Sequence, residues 1–380
     1  MNHLVFPADG PQWRLTNIHN KDGGESAWIF AFNHGIDDQQ SVNILTQDLL
    51  DFVSGNGPTD ALPLPPNVES AICPGPPNPL TLLWSIYQLY NSLRMPTVVP
   101  RRINEGLKSE ADKYSNYADP DLRETICEVM MLSEEATARL RQRSKEEGVT
   151  VTNTLAAAML VINAMLVLET DDPSSATPTE DVTLRFLLSV GLRPYGVESS
   201  DVEDWSKGTV ACAGGAIDYI MKVSHEAYAP LMNSMTASRD GSALTMTHGF
   251  WDLARGSQEL SKKLIDMGFV PESQRLFGIG MEVVDILKAV EIEARNRGSL
   301  GRGYTCGVSS VGLVNFSKAK VSVKGVFYGT SHGRNGVLSL LSCMTVNGVF
   351  TGCLQFPSPL IDRIRAEGVR STLERILNNL

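Results

Sequence analysis

The chain has 380 residues, of which 42% are hydrophobic, 20% charged and 7% aromatic. At about 150 residues per domain this predicts two domains with a large buried core, and it excludes disorder, collagen and coiled coil. Lys plus Arg number 33 against 43 Asp plus Glu, a net charge of -10, which argues against nucleic acid as a partner.

Trp13 to His19 and Ala27 to Asn33 are β-prone runs separated by the turn-rich NKDGGES, which predicts an early strand pair. The second run leads into NHGIDDQQS and then a helical pattern in Val42, Leu45, Leu49, Leu50 and Val53. The proline-rich stretch 54–79 predicts a long loop, and Leu80 to Leu93 a helix. Glu124 to Leu132 reads as a strand. Ser133 followed by Glu134 and Glu135 caps a helix that ends at Gly148. TVTN then opens a buried helix over 153–168. Its apolar run from Leu155 to Leu168, broken by Asn163, is too short to span a bilayer.

Residues 169–182 are polar and rich in Pro, Ser and Thr, and they predict a linker between domains 1–168 and 183–380. Beyond it lie a strand at Thr183 to Val190, a strand pair around 209–222, and helices near 250–267 and 277–295. Strands are expected at 306–315, 319–328, 337–346 and 349–356, and a closing helix from about 359. The order predicts an α/β protein without the regular alternation of a doubly wound sheet.

Cysteines at 73, 127, 212, 306, 343 and 353 show neither C-x-x-C spacing nor a disulfide framework. With an N-terminus, MNHLVFPADG, unlike a signal peptide, they predict a cytoplasmic, metal-free protein. There is no P-loop, no complete G-x-G-x-x-G and no H-E-x-x-H. Gly329-Thr330-Ser331-His332-Gly333 matches the G-x-S-x-G nucleophile elbow, but a turn and a strand follow it, and no later histidine completes a triad. A hairpin turn is the simpler reading. His3, His19, His225, His248 and His332 lack a catalytic context.

His34 has one. An apolar strand runs into His34-Gly35-Ile36-Asp37-Asp38 and an amphipathic helix follows, so the histidine sits exposed at a strand end. Histidine titrates near physiological pH, and such a position suits a general base. Asp38 can orient the imidazole or anchor the turn.

WIFAFNHGIDDQQS resembles the H-x-x-x-D segment of the CoA-dependent acyltransferase superfamily. That group includes condensation domains, the plant-type BAHD enzymes and alcohol acetyltransferases. LSEEATARLRQRSKEEGVTVTNTLAAAML, SVGLRPY, VSSVGLVNF and MTVNGVFTGCLQF resemble its further segments in order, and the chain is most similar to fungal alcohol O-acetyltransferases. The resemblance implies two chloramphenicol-acetyltransferase-like lobes around a tunnel, with acyl-CoA as co-substrate and no bound cofactor. It implies His34 as the base, Asp38 paired with Arg193 as architecture, and Asn33, Ser310 and Thr345 as tunnel or oxyanion candidates.

Departures are Asn33 in place of a first histidine, Gln39 in place of the usual glycine, and no D-F-G-W-G. With 33 residues before His34 the first lobe is expected to be truncated, which bears on CoA binding. The function expected is O-acylation, most simply acetylation, of a hydroxyl on a small hydrophobic natural product in secondary metabolite biosynthesis, by a monomer. The alternative is an acyltransferase-fold cyclase acting on a polyketide or terpenoid.

Overall fold

The computed structural model describes residues 6, 9–57, 72, 78–94, 124–169, 179–196, 210–236, 246–283, 285, 288, 292, 301–316, 322–333 and 336–380. The chain forms two compact units, each assembled from separate segments.

The first unit comprises Met1–Pro76, Gly191–Gly215 and Phe316–Val323. Strands β1 (Trp13–His19) and β2 (Ser26–Phe32) pair antiparallel in the register Trp13 to Phe32 through His19 to Ser26. Gly23 and Gly24 both have positive φ, 82° and 97°, which the tight reversal between the strands requires. Helix α1 (Gln39–Val53) follows, and a short 3-10 turn occupies Arg193–Tyr195.

The second unit, Pro77–Val190, Ala216–Asn315 and Lys324–Leu380, holds a six-stranded sheet in the order β3-β8-β7-β6-β4-β5. Its strands are β3 (Glu124–Met131), β4 (Val182–Gly191), β5 (Gly214–Val223), β6 (Arg302–Val314), β7 (Gly336–Val346) and β8 (Val349–Ser358). β3, β8 and β7 pair antiparallel, whereas β7 with β6 and β6 with β4 are parallel. Helices α2 (Pro79–Arg94), α3 (Glu134–Glu146), α4 (Val151–Leu168), α5 (His225–Thr236), α6 (His248–Asp266), α7 (Phe269–Val283) and α8 (Arg363–Asn378) complete the described elements.

Local chemistry explains the α3–α4 corner. Ser133 accepts from the Ala136 N–H, acidic Glu134 and Glu135 fill the first turn of α3, and Gly148 (φ 70°) ends it in the left-handed region. Thr150 then caps α4 by accepting from the Asn153 N–H.

α4 is the one helix among the described residues long and apolar enough to cross a membrane, and it is buried within this unit. Its two asparagines are buried and partnered. Asn163 donates to the Met159 carbonyl at 2.8 Å and accepts from Ser339 Oγ at 2.8 Å. Asn153 accepts from Ser257 Oγ at 2.9 Å, which is within 2.7 Å of the Tyr219 hydroxyl. Side-chain hydrogen bonds thus fix α4 against β7 and α6, because apolar contact alone does not set a helix's rotation.

Several expectations are corrected. The elements on either side of 169–182, α4 and β4, lie in the same unit, and β3 hydrogen-bonds to β8. The two units therefore do not part at 169–182, and residues 170–178 lie outside the described residues. A single strand, β5, replaces the pair expected around 209–222, α7 begins at Phe269 rather than near 277, and α5 was not anticipated.

Of the strand expected at 319–328, residues 319–321 lie outside the described residues, and the described residues 322–333 form neither a strand nor a hairpin turn. Side chains of β8 bind this segment instead. Gln355 Oε1 accepts from the Thr330 N–H at 2.6 Å and Thr351 Oγ1 donates to the Val326 carbonyl at 2.7 Å. Of the loop expected at 54–79, residues 58–71 and 73–77 lie outside the described residues.

Removing one member of the α4–β7 pair leaves a buried polar group unpaired, which costs about 1–3 kcal/mol. Asn163→Ala and Ser339→Ala should each lose stability in urea titrations. The double variant should lose less than the sum of the two.

Candidate active site

β2 ends at Phe32 and α1 begins at Gln39, so Asn33–Asp38 form the turn between them. Asn33 anchors its start. Its Oδ1 accepts from the Gly35 N–H at 3.0 Å, its Nδ2 donates to Gln12 Oε1 at 3.1 Å, and its N–H donates to the Gln12 carbonyl at 2.8 Å. The Asn33 amide is thereby committed to the turn itself.

His34 is exposed. Its Nδ1 lies 2.7 Å from the Asp37 carbonyl oxygen. A carbonyl can only accept, so the contact puts the proton on Nδ1 and leaves a lone pair on Nε2. The ring also meets Phe32 edge-on, with centroids 6.4 Å apart.

Asp38 faces the other way and is buried. As N-cap of α1 it accepts from the Ser41 N–H at 2.9 Å. Arg193 donates to Oδ2 at 2.5 Å and to Oδ1 at 3.0 Å, and the Ala213 N–H donates to Oδ2 at 3.0 Å. Fully buried Ser41 is the hub of this cluster. Its hydroxyl accepts from Arg193 at 2.7 Å and from the Ala211 N–H at 2.9 Å, and lies 2.9 Å from the Ala211 carbonyl as donor. Residues 155 positions apart are locked together, and the helix that fixes the His34 turn is locked with them.

Asp37 is buried without a bidentate cation. Burial raises its carboxyl above the ordinary range, and the Asp38 charge adds to this, while hydrogen bonds from Ser41 and the Asp38 N–H act in the opposite sense.

Ser310 and Thr345 lie in the second unit, on β6 and β7, and are half-buried. Thr152 Oγ1 donates to Ser310 Oγ at 3.3 Å, and Thr345 is paired with Leu313 and Phe350. Among the described residues no group of three or more His, Cys, Asp or Glu could hold a metal ion.

Ser41 does carry a sequence signal, because Asp-x-x-Ser at a helix start is the spacing by which an N-cap reaches the first turn. The backbone groups of Ala211 and Ala213 carry no sequence signal at all.

Two substitutions separate the neighbouring aspartates. Asp38→Ala strands the Arg193 charge in a buried site and should cost about 3–5 kcal/mol, read as a fall in urea midpoint. Asp37→Asn should act in the opposite direction. A carboxyl whose folded pKa is raised contributes stability below its unfolded pKa and loses it as pH rises through the folded value. Asparagine keeps the acceptor oxygen without the charge. The variant should therefore melt above wild type at pH 7, and the difference should close as pH falls below about 4.

No protein-family model and no curated sequence matches the chain. Solved structures do. The trichothecene 15-O-acetyltransferase TRI3 from Fusarium sporotrichioides aligns with a TM-score of 0.62 at 12% identity, over 97% of this chain and 70% of that one. The condensation domain from the monacolin K polyketide synthase MokA gives 0.58 at 12% identity, over 97% and 72%. The EpoB NRPS cyclization-docking bidomain from Sorangium cellulosum gives 0.57 at 15% identity, and the chain, covered in full, spans 64% of it. At these identities the likeness is one of fold, and the chain has the mixed α/β fold of the condensation-domain and acetyltransferase structures.

Proposed function

We propose that the protein is an O-acyltransferase that moves an acyl group, most simply acetyl, from CoA to a hydroxyl of a small hydrophobic natural product. The observation that carries this reading is the state of His34. Its Nδ1 proton is held by the Asp37 carbonyl at 2.7 Å, its Nε2 is left to accept a proton, and the side chain is exposed. The acetyltransferase and condensation-domain fold gives this arrangement its chemical context.

In this reading Nε2 takes the proton of the acceptor hydroxyl as its oxygen attacks the thioester carbonyl. The tetrahedral intermediate collapses by breaking the carbon–sulfur bond. The departing thiolate then takes the proton back from the imidazolium, and the products are ester and free CoA. Neither a metal nor a covalent acyl-enzyme is required. Asp38 and Arg193 keep the turn in place and take no part in proton transfer. A hydrogen-bond donor to the oxyanion is worth about 3 kcal/mol.

Release of CoA thiol from acetyl-CoA, followed with a panel of hydrophobic alcohols, tests the reaction. His34→Gln keeps polarity and much of the volume but cannot take a proton. It should lower turnover by about 10²–10⁴ with an unchanged melting temperature. Equal rates for His34→Gln and wild type would exclude base catalysis here. Acetyl-CoA at a hundredfold excess over Kd should also stabilise the protein by about 2.7 kcal/mol, and no thermal shift at millimolar ligand would remove CoA from the scheme.

A further inference from the structure

We propose that Cys212 is a positioning residue for His34, its thiol holding the peptide group that carries the base; this rests on the function proposed above. Cys212 Sγ lies 3.0 Å from the His34 backbone carbonyl, between residues 178 positions apart in the chain. The thiol is half-buried, and both residues belong to the first compact unit.

The neighbours of Cys212 supply independent support. Ala211 exchanges two hydrogen bonds with the Ser41 hydroxyl, and the Ala213 N–H donates to Asp38 Oδ2. The same N–H lies 3.0 Å from the Ala211 carbonyl, so the three residues form a tight turn with Cys212 at its apex. The Ala213 carbonyl in turn accepts from the Leu192 N–H at 2.8 Å, beside Arg193. Three successive residues thus hold three points of the segment from His34 to Ser41, namely the Ser41 hydroxyl, the carbonyl of His34 and the carboxylate of Asp38.

The two ends of His34 are fixed by different donors and acceptors. The ring is tied through Nδ1 to the Asp37 carbonyl, and the backbone through its own carbonyl to Cys212. The peptide between His34 and Gly35 is thus held on both sides, its N–H by Asn33 Oδ1 at 3.0 Å and its carbonyl by Cys212, and loss of the thiol leaves only the first tie. Burial raises the Cys212 thiol, with Asp38 and Asp37 adding to the effect, which keeps the proton on sulfur for donation.

Cys212→Ala and Cys212→Ser in the full chain test the proposal. Serine retains a donor and should behave as wild type. Alanine should lower kcat about 2- to 12-fold at unchanged KM, the loss expected for one neutral hydrogen bond. It should also change two properties of His34 that do not depend on turnover. These are the 15N shifts that report its Nδ1-protonated tautomer and the rate at which diethyl pyrocarbonate modifies it, read by peptide mass spectrometry.

Wild-type values of kcat and of both His34 signals in Cys212→Ala would overturn the proposal. So would equal losses in both variants accompanied by lower melting temperatures, which would mark a packing role. Should wild type transfer no acyl group, the two His34 signals still decide positioning by themselves, so failure of the proposed reaction is recognisable separately.

Discussion

The buried pairing of Arg193 with Asp38 is the constraint on which the rest of the candidate site depends. Burying two charges carries a large desolvation cost, and attraction between them repays it only when the remaining donors and acceptors are also satisfied. Here Ser41 and Ala211 accept from Arg193 Nη2, and the Ala213 N–H donates to the carboxylate. The cluster joins the helix after the His34 turn to a segment from the middle of the chain. Its value lies in fixing register, since neither the half-exposed hairpin β1–β2 nor the amphipathic α1 would specify where that segment docks.

A different device orders the interior of the second unit. The central strands are buried along most of their length and α4 is apolar on nearly every side, so burial alone leaves the helix free to rotate. Asn153 and Asn163 remove that freedom, because each has a partner at only one rotation of α4. The asparagine that interrupts the apolar run is thus part of what makes the helix a core element. Both units use the same logic of a polar contact inside an apolar setting.

How much of this was legible in the sequence follows from the range of the interactions. Local signals served well. The hairpin, α1, the Ser133 cap, the Gly148 stop and the buried α4 follow from periodicity and capping chemistry over a few residues. Long-range pairing was not legible. Composition at 169–182 suggested a division, yet the ladder between β3 and β8 places residues before and after that run in one sheet. The segment 322–333 has β-prone composition but is held by Gln355 and Thr351 side chains, and no local pattern announces that. At the site, His34, Asp38 and Arg193 could be singled out from residue types and a family resemblance. Asp37 could not, since its part is played by a backbone carbonyl.

That carbonyl bears on the chemistry proposed for His34. In a carboxylate-backed histidine, the imidazolium formed by proton transfer is stabilised by a full negative charge. Here the partner of Nδ1 is the neutral carbonyl of Asp37, and the nearer carboxylates are turned inward, Asp38 toward Arg193 and Asp37 toward the Asp38 N–H. A neutral acceptor still selects the tautomer and holds the ring. The two adjacent aspartates divide the work accordingly: one contributes its charge to the architecture, the other its peptide oxygen to the ring of His34.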